Sequence, residues 1–118
     1  MTDDEIVDAY ISAFKNADRS AILGLIAPGA AIWHNYDDRD RDIAASLDEM
    51  QRVKGYIDDM RYDVIERFAV RDGVGVRLVL RGALSATGQA FASHQVKFFR
   101  IRAGKITRIE EYVAPPAS

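Results

Sequence analysis

Residues 61–81 read RYDVIERFAVRDGVGVRLVLR, and this stretch decides the fold. Tyr62, Val64, Glu66, Phe68 and Val70 alternate with Arg61, Asp63, Ile65 and Arg67. After Asp72-Gly73, Val74, Val76, Leu78 and Leu80 alternate with Gly75, Arg77, Val79 and Arg81. A period of two on both sides of an Asp-Gly pair predicts two half-buried antiparallel strands joined by a tight turn. Downstream, a connection around Ser85 to Gly88 leads to a long predicted strand, Phe91 to Arg102. Ala103-Gly104 turns the chain, Ile106 to Val113 forms the last strand, and Pro115-Pro116 ends the fold.

Upstream of Arg61 the period is helical. Thr2 and Glu5 form a capping-box pattern, and Ile6, Tyr10, Ala13, Phe14 and Ala17 follow at three- and four-residue steps. Asp18 predicts the cap of a short second helix carrying Ile22, Leu23 and Ile26, stopped by Pro28-Gly29. Ala30 to Asn35 reads as a strand. The acidic run Asp37 to Asp42 leads into a third helix with Ile43, Leu47, Met50, Val53, Ile57 and Met60 on one face, interrupted at Gly55. The order ααβαββββ predicts an α+β domain, a curved antiparallel sheet covered by three helices, over residues 1–118 as a single unit.

Composition bounds the function. The chain has 118 residues, 48% apolar and 29% charged, with a formal net charge of -2. One domain with a real core fits those figures, and nucleic-acid binding by bulk charge does not. The segment Lys97 to Arg108 interleaves basic residues with Phe98 and Phe99. Glu110 and Glu111 beside it favour a salt-bridged sheet face over a nucleic-acid surface. The absence of cysteine excludes thiolate nucleophiles, Fe–S clusters and disulfides. The acidic start and the short, Pro- and Gly-broken apolar run Ala21 to Trp33 predict neither a leader nor a membrane span. A soluble, cytoplasmic protein is the expectation.

No phosphate loop, nucleophile elbow or dinucleotide fingerprint occurs. What remains is a set of polar residues at positions expected to face inward. With the turn at Ala103-Gly104, regular pairing sets Glu111 opposite Val96 and diagonal to His94, about 7–8 Å away. His94, Val96 and Phe98 then share the concave face with Glu111, and an acid–base pair lies in an apolar cup. The same pair also reads as a structural network satisfying its own hydrogen bonds. On the first strand Trp33 and Asn35 point one way, His34 and Tyr36 the other. Trp33 serves as a wall and Asn35 as an amide for a planar ligand, or both serve core and turn. Two histidines make a His34–Asp37 metal site a poor fit, so no metal and no cofactor are expected. Tyr10 either donates its hydroxyl into the cavity or packs. Tyr56 and Met60 line its mouth or belong to the core.

Ala13-Phe14 before an Asp18-led helix, Trp33-His34-Asn35-Tyr36-Asp37, and the ending Gly104-Lys105-Ile106-Thr107-Arg108-Ile109-Glu110-Glu111-Tyr112-Val113 together resemble the nuclear-transport-factor-like superfamily in its SnoaL-like branch. The resemblance covers essentially the whole chain and implies a cone-shaped cavity and dimers through the outer sheet face. It names no reaction, because the fold hosts isomerases, epoxide hydrolases, cyclases, dehydratases and binders. Against limonene-epoxide-hydrolase-like sites, Trp33, Asn35 and Glu111 fill matching positions, but Val76 and Leu78 replace the Arg and Asp. Against ketosteroid-isomerase-like sites, Asn35 and Val96 replace the acids and Tyr10 is kept. His94 and Glu111 resemble the His and Asp of SnoaL-like cyclases.

The expected function is a cofactor-free isomerase, cyclase or hydrolase acting on an apolar or planar organic molecule through Glu111 and His94. A non-catalytic ligand-binding or dimerisation module of the same fold is the alternative. Val79, Phe99 and Ile65 are expected on the outer sheet face as an apolar patch for a homodimer.

Overall fold

In the computed structural model, which describes residues 1–115, the Thr2 hydroxyl accepts from the Glu5 amide at 3.2 Å. The Glu5 carboxylate accepts from the Thr2 amide at 2.8 Å. This reciprocal cap starts α1 (Asp3–Lys15), which buries Ile6, Val7, Tyr10 and Ala13. Asp18 caps α2 (Arg19–Leu25) by accepting from the Ala21 amide at 3.1 Å. The helix stops at Leu25 rather than at Pro28-Gly29. Those two residues lie inside β1 (Ile26–His34), where the pairing shifts between Ile26 and Ala31.

The acidic run contributes a strand that periodicity does not show. β2 (Arg39–Asp42) pairs with β1 from Ala31↔Asp42 to His34↔Arg39. All its residues are charged, which suits an edge strand. Asp42 then caps α3 (Ile43–Tyr56), accepting from the Ala45 amide at 2.8 Å. The third helix does not reach Met60. Ile57 opens β3 (Ile57–Val70) directly, because Ile57 and Asp58 pair with Leu84 and Ala83 and those sheet bonds replace a last helical turn weakened by Gly55. β4 (Gly73–Leu84), β5 (Ala90–Arg102) and β6 (Lys105–Val113) complete the fold. Pro115 follows them, and Pro116 lies outside the described residues.

The helix and strand order is the expected α+β one with a short strand added. The sheet runs β2-β1-β6-β5-β4-β3. It is mixed rather than wholly antiparallel, since β1 and β6 are parallel neighbours. Ile6, Tyr10, Ile22, Leu47 and Met50 from the helices pack on Val76, Leu78, Phe99, Ile106 and Ile109 from the concave face.

The last hairpin carries the feature that sets the site. Ala103 and Gly104 turn with φ of 50 and 75, as the sequence predicts. Ile101 then pairs with Ile106, but the next pair is Arg100↔Arg108. Thr107 is an extra residue, a β-bulge, and its hydroxyl donates to the Arg100 carbonyl at 3.2 Å. β5 keeps an unbroken alternation from Ser93 to Ile101, while the extra residue switches the parity of β6, so Ile106, Ile109 and Glu111 all face inward and meet the odd-numbered side of β5. Ser93, Gln95, Lys97 and Phe99 are buried, whereas His94 is exposed and Val96 and Phe98 lie on the outer face.

The same shift rewrites the expected dimer patch. Phe99 is 0% exposed in the core, and Val79, the register partner of His94, is buried on the outer face. Of the three expected residues only Ile65 is exposed. The outer face instead carries an aromatic row, Trp33–Tyr112–Phe98–Phe68, with successive ring centroids 5.1, 5.9 and 6.1 Å apart.

Candidate active site

Three strands contribute one rung to the concave face. His34 on β1 is the register partner of Glu111 on β6, and Glu111 is the register partner of Lys97 on β5. His34 Nε2 lies 3.1 Å from Glu111 Oε1, and Lys97 Nζ bonds Glu111 Oε2. Lys97 and Glu111 are buried, at 5% and 7% exposure. The Lys97 ammonium sits over the rings of Phe14 and Tyr62, 5.5 and 5.8 Å from their centroids, so aromatic faces replace the water it has lost. Tyr36 stacks on the imidazole with centroids 4.8 Å apart.

Burial by itself would raise the Glu111 carboxyl. The Lys97 ammonium and the bond to His34 outweigh it and hold the group down at about 2. Glu111 is therefore a carboxylate, which only accepts hydrogen bonds, so Nε2 of His34 carries the proton it donates. Burial pushes the Tyr10 and Tyr62 hydroxyls upward, and the Glu111 charge adds to both effects. Both phenols stay neutral beside the carboxylate.

Above the rung opens a cavity of about 320 Å³. His34, Lys97 and Glu111 share its lining with Gln95 and Ser93, and Tyr62, Leu80, Leu84 and Phe91 form apolar walls. Tyr56 lines it too and is 58% exposed, which puts it at the mouth. A larger groove of about 570 Å³ runs past Lys15, Asn16, Lys54 and Met60 and touches none of the rung residues. The smaller space is the candidate site, because there apolar walls surround convergent polar groups.

Several residues read from sequence as neighbours of Glu111 lie elsewhere. His94 does not meet Glu111. It is exposed on the opposite face with Val96 and Phe98, because of the Thr107 bulge. Trp33 also faces outward, where its indole Nε1 donates to Asp38 at 2.8 Å and its ring packs on Tyr112. Asn35 is exposed. Its backbone N–H donates to the Glu111 carbonyl at 3.0 Å and its side-chain oxygen accepts from the Val113 backbone N–H at 2.8 Å, so it ties β1 to β6 outside the cavity. Tyr10 is 3% exposed and packs edge-on against Phe99. Met60 lies in the outer groove. The reading that pairs Glu111 with His94 passes over His34, Lys97, Gln95 and Tyr62. A signal for two of them was present: Lys97 is the one basic residue on a face of β5 that otherwise carries Ser93, Gln95, Phe99 and Ile101, and His34 is the alternate of Trp33.

Asp37 is paired with Arg41 at 2.6 Å rather than with His34. Among the described residues no group of three or more His, Asp or Glu is placed to hold a metal, and no helix is long and apolar enough to cross a membrane.

Known proteins bear on this geometry through fold. IdmH of Streptomyces antibioticus, named as a candidate polyketide cyclase, superposes with a TM-score of 0.87 at 23% identity, covering 96% of this chain and 92% of its own. AclR of Streptomyces galilaeus, named as a candidate hydroxylase, superposes at 0.83 with 19% identity, covering 94% and 77%. A SnoaL-like candidate polyketide cyclase from Shewanella denitrificans superposes at 0.76 with 13% identity, covering 95% and 90%. No curated protein matches the sequence. The SnoaL-like domain profile matches residues 7–109, nearly every element from α1 to β6. With its helices, its sheet order and that match all in agreement, the chain belongs to the SnoaL-like domain family.

Proposed function

We propose that this protein is a cofactor-free acid–base enzyme that moves a proton on a small, planar, largely apolar organic molecule, in the isomerase, cyclase or hydrolase class. One observation carries the reading: the His34–Glu111–Lys97 rung lies on the floor of a cavity with largely apolar walls. A substrate carbonyl entering that cavity accepts a hydrogen bond from Lys97 Nζ. As the ammonium turns to the ligand, Glu111 keeps its burial but loses part of its counter-charge, and its proton affinity rises. Glu111 then takes a proton from the carbon next to the carbonyl. The C–H electron pair moves onto the carbonyl oxygen, and Lys97 holds the resulting enolate. His34 keeps the other Glu111 oxygen in place through Nε2–H. The names of the fold relatives, two cyclases and a hydroxylase, are compatible with such substrates.

The second reading is a non-catalytic binder, and the strength of the buried ion pair favours it, since a carboxylate held at about 2 is a weak base. Solvent deuterium exchange into β-tetralone, followed by NMR, separates the two. The enzyme reading expects exchange that the wild type accelerates and Glu111→Gln abolishes while affinity for the ketone survives. Binding without any accelerated exchange selects the binder.

The outer aromatic row supports a homodimer through that face, and the absence of cysteine suits a reducing, cytoplasmic setting. Both belong to this proposal.

A further inference from the structure

Behind His34, between β1 and α3, lies a chamber of about 30 Å³ lined by Phe14, Ile32, His34, Arg41, Ser46, Glu49 and Glu111. That volume has room for a water molecule and none for an organic ligand. Among the described residues, two buried side-chain polar atoms have no protein partner, His34 Nδ1 and Ser46 Oγ. Both belong to residues that line this one chamber. A serine in a helix commonly returns its hydroxyl to the carbonyl one turn back. Ser46 on α3 does not, although it is only 8% exposed. An imidazole nitrogen and a hydroxyl left bare in the interior are each costly, and two such residues lining one water-sized space is the arrangement a bridging water resolves.

We infer that one ordered water occupies this chamber and bridges His34 Nδ1 to Ser46 Oγ, which makes Ser46 a positioning residue for the imidazole. With Nε2–H committed to Glu111, the neutral ring presents a lone pair at Nδ1, and the water donates to it. When the ring is protonated, Nδ1–H donates to the same water, which turns and donates to Ser46 Oγ. A hydroxyl is both donor and acceptor, so it serves both arrangements. The imidazole thus keeps one orientation on Glu111 in either charge state, without moving into the ligand cavity. The inference needs no turnover and stands whether the cavity above is catalytic or only binds.

Two measurements test it. A high-resolution crystal structure of the wild type is expected to show density within hydrogen-bond reach of both atoms; an empty chamber overturns the proposal. Long-range nitrogen–proton NMR of the His34 ring is expected to find Nδ1 as a hydrogen-bonded acceptor in the wild type. Ser46→Ala is expected to move that resonance downfield towards a free acceptor, and Ser46→Thr, which keeps the hydroxyl, to restore it. A folded Ser46→Ala protein with an unchanged Nδ1 resonance removes Ser46 from the role. Should the alanine variant not fold, the wild-type density and the Ser46→Thr spectrum decide.

Discussion

Lys97 and Glu111 face each other across β5 and β6 as direct register partners, with both charges inside the protein. Such a pair is weak evidence for stability as a unit, but either charge left alone is expensive. Lys97→Met is expected to cost about 3–5 kcal/mol, because it strands the Glu111 carboxylate. The double variant Lys97→Met/Glu111→Leu is expected to recover most of that loss. Urea denaturation of the two single variants and the double variant measures the coupling, and additive losses would show that the charges do not act on each other.

The depressed Glu111 carboxyl makes a pH prediction. In the unfolded chain the group titrates near 4.5, in the folded protein at about 2. The folded state therefore binds its proton more weakly, and the stabilisation is complete above 4.5. It is lost as pH falls from 4.5 towards 2, and the full effect is about 3 kcal/mol. Stability curves for the wild type and Glu111→Gln are expected to converge over that window. Parallel curves would mean that Glu111 is not held down by its partners.

Asn35 and His34 are adjacent in sequence and opposite in consequence. Asn35→Ala removes the bond from the Val113 amide and is expected to lower stability by about 1 kcal/mol with ligand affinity unchanged. His34→Phe is expected to abolish exchange while leaving the fold intact. Weakened ligand binding in Asn35→Ala would place the amide in the cavity after all.

At the β3–β4 turn Asp72 takes φ 61 and Gly73 starts β4. A Cβ on Gly73 would lie 1.7 Å from the Phe99 carbonyl oxygen. That neighbour is backbone in the middle of the sheet and cannot step aside. Gly73→Ala is expected to cost about 3 kcal/mol, at the upper end for overpacking, with thermal unfolding as the readout. A near-neutral result would show that β4 and β5 separate easily at this end.

The outer row Trp33–Tyr112–Phe98–Phe68 predicts the oligomeric state. Light scattering at micromolar concentration is expected to give a dimer for the wild type and a monomer for Phe98→Asp. A monomeric wild type counts against the interface.

Most of the fold was legible because periodicity reports burial. The Thr2–Glu5 box, the Asp18 cap, the two hairpin turns and the central parts of the four long strands all have local signals, and each lies where those signals put it. The misses share a cause. β2 is charged throughout and earns its strand geometry only by pairing with β1, which no local pattern reveals. The end of α3 is set by the pairing of Ile57 with Leu84, far along the chain. The site was half legible. Glu111 does line the cavity, but a regular count back through the turn names the wrong neighbours for it. Thr107 breaks that count, and its one trace in the sequence is the three-residue step from Ile106 to Ile109, easily passed over in so short a strand. On β1 the large ring of Trp33 drew the inward assignment, although Ile32 and His34 occupy that side.

The Thr107 bulge has a consequence for how this scaffold is altered. Thr107 takes up the odd residue between Ile106 and Ile109, so both isoleucines and the carboxylate beyond them look the same way. Excising it would leave Ile101 opposite Ile106 and Arg100 opposite Arg108, and every later pair, the charged floor included, would keep its partner. Only the local kink and the hydroxyl bond to the Arg100 carbonyl would go. Sequence comparisons that align the strand tips of this hairpin without allowing for that gap will assign the wrong residues to the pocket.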